Sequence, residues 1–208
     1  MRHIHVRCYF NFSNHKGKTV GTKKLVIVFS RPKSWKIFAE LIMWWDKHRY
    51  DSEIKISHGA GKFVASSWER DLFYQAAGIR THFMGGKHFN DINTIVEQYE
   101  LEVPEEFVVK IGQRCVDREG KPYAIKQVLG QIIVNLVWLL TFGKIEIKNP
   151  WSDGDAETSC IEEWGRILAE CLDLPMPLDL DNVSVKPFRD WIASLPIAKK
   201  IESEEMNG

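Results

Sequence analysis

The stretch DAETSCIEEWGRIL, residues 155–168, decides how the second half of the chain folds. Ser159 and Glu162 have the S-x-x-E spacing of a capping box, in which the serine hydroxyl accepts from the third helical amide and the glutamate reaches back to the cap. A helix is therefore predicted here, with Cys160 as its first residue. Cys160, Trp164, Ile167 and Cys171 then fall on one face, which predicts an apolar stripe turned toward the rest of the domain. A thiol at that position meets unpaired backbone N–H groups and the positive end of the helix dipole, and both lower its pKa. The same N–H groups can hold an oxyanion beside the sulfur. The bland alternative is a small apolar core residue, and this helix alone does not separate the two.

Upstream, KLVIVFS at 24–30 is a short continuous apolar run, the pattern of a buried strand, and it ends at Arg31-Pro32. Ile37, Phe38, Leu41, Ile42 and Trp45 then recur at helical spacing, with Ser34 placed to cap. DSEIKIS at 51–57 alternates strictly, setting Ile54 and Ile56 against Glu53, Lys55 and Ser57, and GKFVASS after the HGA turn offers a hairpin partner. A helix is expected from Pro104, GKPY at 120–123 breaks the chain, and Ala124 to Leu140 is helix-like. The apolar run Ile132 to Phe142 contains Asn135 and is about half the ~20 residues a membrane span needs, so it reads as a buried core helix. A Pro-rich connector and a short helix FRDWIASL follow the Cys160 helix. Strands first and helices later give an α+β class. One domain is expected over 25–196, between a basic lead-in or hairpin at 1–24 and a charged tail at 197–208.

Composition excludes several functions. The 28 basic and 28 acidic residues of this 208-residue chain balance, so nothing argues for a nucleic-acid partner. Apolar content of 44% with eight tryptophans fits a well-cored globular protein. Cys8, Cys115, Cys160 and Cys171 are scattered, unlike zinc or disulfide frameworks, which suits a reducing compartment. Cys115 and Cys171 read as core thiols. The opening residues lack an apolar signal-peptide region. His82 and His88 are not spaced like a helical metal pair, so neither a metal nor a cofactor is expected.

The order of these segments carries a resemblance. VFSRP, an aromatic-rich helix, YDSEIKI, GKFVAS, GKPY and SCIEEWGRIL together resemble the circularly permuted NlpC/P60 (papain-like) family, in particular its YiiX/YebB-like members, often phage- or bacterium-encoded. Ser52-Glu53-Ile54, Gly120-Lys121-Pro122-Tyr123 and Cys160-Ile161-Glu162 stand where that family has Ser-His-Val, Gly-x-Pro-Tyr and Cys-Ser-Glu. The resemblance implies a small antiparallel sheet packed on helices and a cysteine hydrolase of amide or ester bonds. Peptidoglycan peptides or lipid acyl groups would be its substrates, and Cys160 its nucleophile.

In this alignment Glu53 replaces the family's strand histidine, and a carboxylate is a poor base for a thiol. His58 is the nearest substitute, usable if a turn reorients it, and His82 and His88 are further candidates. The candidate catalytic set is therefore Cys160, His58 and Glu53. The expected partner is a peptide or acyl substrate in a cytoplasmic or virion-associated protein. The other reading is a catalytically silent papain-like domain that binds protein partners in a virion assembly. No membrane span and no nucleic acid enter either reading.

Overall fold

A computed structural model describes residues 24–34, 36–64, 71–151, 157–176, 178–180 and 183–201. Most of the predicted lead-in, with Cys8, lies outside them, as does the tail beyond Ile201. The architecture is α+β, built on a six-stranded antiparallel sheet. In chain order the elements are β1 (Leu25–Pro32), α1 (Ile37–Tyr50), β2 (His58–Phe63), β3 (Leu72–Ala77), β4 (Arg80–Gly85), α2 (Gly86–Ile92), β5 (Asn93–Leu101), α3 (Glu105–Asp117), α4 (Ile125–Leu140), α5 (Cys160–Leu172), α6 (Val185–Ser194) and β6 (Ala198–Ile201). The strands lie in the order β4-β3-β2-β1-β5-β6.

The continuous apolar run of β1 follows from its central place. Leu25, Ile27 and Phe29 enter the main core with Tyr74, Trp164 and Phe188, while Val26 and Val28 enter a smaller core with Ala60, Phe73 and Phe89. A strand covered on both faces needs apolar residues at every position. α5 supplies the centre of the main core, and the cysteine, tryptophan and isoleucine of its predicted stripe are all buried.

Several expectations are corrected. Residues 51–57 form no strand: Asp51 closes α1 in the left-handed region at φ 50°, and the Ser52 hydroxyl then accepts from the Ile54 amide at 3.3 Å. That local turn overrides the alternation, and HGAGKF itself becomes the strand beside β1. The hairpin is instead β3–β4, turning at Gly78 with φ 69°. The N-cap of α1 is Lys36 rather than Ser34, with no side-chain cap bond. Residues 198–201 are not free tail but an edge strand paired with β5. α4 is not a buried core helix: only Gln127, Gly130 and Val134 are buried, whereas Leu136, Leu140 and the following Phe142 are exposed.

Candidate active site around Cys160

The capping box forms as its spacing requires. The Glu162 amide donates to Ser159 Oγ and the Ser159 amide to Glu162 Oε2, each at 3.3 Å. Cys160 is thereby the first residue of α5, and the Gly59 backbone amide of β2 is among the groups that favour its thiolate. Two glycines allow α5 to approach β2. A Cβ at Gly59 would stand 3.0 Å from the Ile161 side chain, and one at Gly61 would stand 2.0 Å from the Trp164 ring. The ladder between β2 and β3 covers only Gly61 to Phe63, leaving Gly59 beyond its end.

The GKPY segment reaches the same place. Tyr123 bridges Thr158 in parallel, the Thr158 amide donates to the Pro122 carbonyl, and the Ala124 amide donates back to the Thr158 carbonyl. On its other side the segment joins β4 through the Thr81 amide and the Lys121 carbonyl at 2.8 Å. Tyr123 lies close enough to Cys160 for a thiolate there to raise the phenol's pKa, although burial is the larger cause of its rise.

His58 opens β2, next to the glycine whose amide favours the Cys160 thiolate. Its Nε2 lies 2.7 Å from Gln75 Oε1 on β3, the Gln75 amide nitrogen lies 3.2 Å from His82 Nε2 on β4, and His82 Nδ1 lies 3.1 Å from the Arg80 carbonyl. A carbonyl oxygen only accepts, which fixes the proton on each ring of this chain. His82 donates from Nδ1 to Arg80, Gln75 donates to His82, and His58 donates from Nε2 to Gln75. The neutral His58 therefore keeps its Nδ1 lone pair free. Burial pulls its pKa down to about 4 against the opposing bond to Gln75, and Lys36 lowers it further.

A hollow of about 330 Å³ opens at this end of the sheet, with Lys36, Ser57, His58, Gln75 and Tyr123 on its wall beside apolar residues of α1 and α4. Ser57 Oγ is buried there and has no hydrogen-bond partner among the described residues. Cys160 is only 6% exposed. Burial raises its pKa and outweighs the backbone N–H groups of Gly59, Ile161 and Cys160, so the lowering predicted from the helix dipole is reversed.

His58 is not turned toward the sulfur: a Cβ on Gly59 would point at Ile161 of α5, and alternation groups His58 with Ala60 on the opposite face of the sheet. The remaining candidates lie farther away. Glu53 is exposed and lines a separate surface hollow with Arg31, Trp44, Lys47 and Lys55, so it is not brought to Cys160. His88 is exposed on α2. The strand against α5 begins at His58, five residues after Glu53. Gln75 and Ser57 were missed; the one available signal was a glutamine inside the apolar run LFYQAA. Among the described residues, no cluster of His, Cys, Asp or Glu is arranged to hold a metal ion, and no helix is long and apolar enough to cross a membrane. No family model matches this chain, and no curated protein matches it significantly.

Proposed function

We propose that the chain is a cysteine hydrolase of the permuted papain-like kind, acting on an amide or ester carbonyl. The observation that carries the reading is the place of Cys160, the first residue of α5, where that helix packs on the start of β2 so closely that a Cβ on Gly59 would stand 3.0 Å from Ile161. It sets the sulfur at a helix start, beside the residue that follows His58. Placing the family's Ser-His-Val step at Ser57-His58-Gly59 removes the need for Glu53 in the chemistry, because the strand then opens on a histidine.

In the first step Sγ bonds to the substrate carbonyl carbon while its proton passes through a bridging water to His58 Nδ1, because the ring stands on the sheet face opposite α5. Gln75 is a positioning residue that keeps the His58 proton on Nε2. The Cys160 amide, in the unpaired first turn, meets the carbonyl oxygen as it becomes negative. Collapse breaks the bond to the leaving group, which takes the proton from His58. Water then cleaves the thioester, releasing the acid and restoring the thiol. With Cys160 raised and His58 lowered, the resting pair is neutral, so the proton moves during attack rather than before it. Peptide or acyl substrates, including those of a virion-associated lysis step, fit this chemistry.

A second reading, a catalytically silent binding domain, is favoured by two observations. The sulfur is nearly closed off, and strand alternation groups His58 with Ala60, which packs on the face opposite α5. Hydrolysis of p-nitrophenyl acyl esters and of peptidoglycan cross-link peptides separates the readings. The hydrolase predicts turnover that Cys160→Ala abolishes and that His58→Ala lowers by about a hundredfold or more. Equal rates in all three proteins would leave only the binding domain.

A further inference from the structure

We propose that α4 is the contact surface for a second copy of this chain, paired antiparallel about a two-fold axis. Ile125, Leu129, Ile133, Leu136 and Leu140 are all exposed on this helix, and they fall within roughly 80° of arc at 100° per residue. No charged residue stands between Lys126 and Lys144. An uncharged stripe of this kind is expected inside a protein, not against water.

The spacing selects the occupant. Read from either end about the midpoint between Ile132 and Ile133, the stripe repeats itself. Ile125 mirrors Leu140, Leu129 mirrors Leu136, and Ile132 mirrors Ile133. An isologous contact requires this reciprocity, because each residue meets its mirror position on the other copy. A heterologous partner or a lipid surface does not require it. In the pair Ile125 faces Leu140 of the partner subunit, and Leu129 faces Leu136 of the partner subunit. The two helix dipoles then run in opposite directions.

The surface is large enough. α1 adds Leu41 and Trp44, which share a groove with Leu136, and Phe142 follows the end of the helix. Phe142 is 90% exposed, at a left-handed φ of 53° where the chain leaves the helix. The five stripe residues and these three are on average about half exposed. At on the order of 200 Å² for a large apolar side chain they offer roughly 800 Å² per copy, the area each partner of a standard stable interface buries. Ile125 also lines the His58 hollow, so the second copy would border its mouth.

Sedimentation equilibrium of the purified full chain at tens of micromolar tests this directly. The expected mass is twice 24.1 kDa. Leu136→Lys should weaken association by about a hundredfold or more while leaving circular dichroism unchanged, since the residue is exposed. Ile133→Cys, at the dyad, should cross-link two copies under mild oxidation, whereas Ile125→Cys and the parent chain should not. A monomeric parent chain overturns the proposal. A Leu136→Lys protein that stays dimeric does so too, as does equal cross-linking through Ile125→Cys. A monomer that instead binds anionic phospholipid vesicles through this face would also overturn it.

Discussion

Glu163 on α5 and Arg118, just past α3, form a two-pronged ion pair inside the protein. Arg118 Nε donates to Oε1 and Nη2 to Oε2, each at 2.8 Å, and both side chains are buried. Tyr74 of β3 also donates to Oε1 at 2.7 Å. The arrangement ties the helix that carries Cys160 to the sheet and to the turn that leads into GKPY. Removing one charge strands the other in the core, so Arg118→Met should destabilise the fold by about 3–5 kcal/mol. Urea unfolding would check it, and a loss under about 1 kcal/mol would mean that water reaches the pair.

The fit of α5 on β2 depends on Gly61. A methyl there would overlap the Trp164 ring, so Gly61→Ala should cost about 1–3 kcal/mol as the helix is pushed outward. Gly85→Ala, where a Cβ meets nothing within 4 Å, should cost less than about 1 kcal/mol. Equal unfolding midpoints for the two variants would contradict the close packing described here.

Acid stability should show two opposed titrations. His58 is held down at about 4 from its ordinary 6.5, chiefly by burial, so the unfolded chain binds its proton first. Its contribution is full above about pH 6.5 and is lost as pH falls toward 4, about 3 kcal/mol in all. Asp46 is pushed up to about 6 from 3.8, again by burial, despite bonds from Ser184 and from the Lys186 amide. Its contribution is full below about pH 3.8 and is lost as pH rises to 6, by a similar amount. The parent chain should therefore change little between pH 4 and 6.5. Asp46→Asn should become more stable as pH rises through that window, and His58→Gln less stable. Parallel urea-midpoint profiles for the three proteins would refute the opposed pair.

The histidine chain gives a separate prediction for Gln75. Gln75→Leu removes the acceptor that keeps the proton on His58 Nε2, so the other tautomer gains ground. If hydrolysis runs through His58, kcat should fall by about tenfold or more with little change in KM. Nitrogen-15 shifts of the ring should report the tautomer change independently of activity.

What was legible in the sequence was local. The capping box at Ser159 and Glu162 lies within four residues, and the apolar stripe of α5 follows from helical period, so both emerged as expected. β2 was misplaced because Ser52 hooks the chain into a turn that alternation cannot reveal. α6 begins at Val185, earlier than its sequence suggests, because Asp46 of α1 supplies the acceptors for the Ser184 hydroxyl and the Lys186 amide. That cap is built across the fold and leaves no local mark. The exposure of α4 was likewise hidden, since apolar content alone does not say whether the same chain or another one covers a helix. At the site, Cys160 and GKPY were readable as motifs. The Gln75 link was not, because it joins residues 17 positions apart on different strands.

The account rests on whether the Cys160 sulfur accepts an acyl group. The most direct measurement is the intact mass of the chain, quenched in acid seconds after mixing with p-nitrophenyl acetate and followed by peptide mapping. The account predicts one acetyl group per chain, mapped to Cys160, absent in Cys160→Ala and formed far more slowly in His58→Ala. An unmodified Cys160 in the folded parent chain, or the same labelling rate with and without His58, would contradict it.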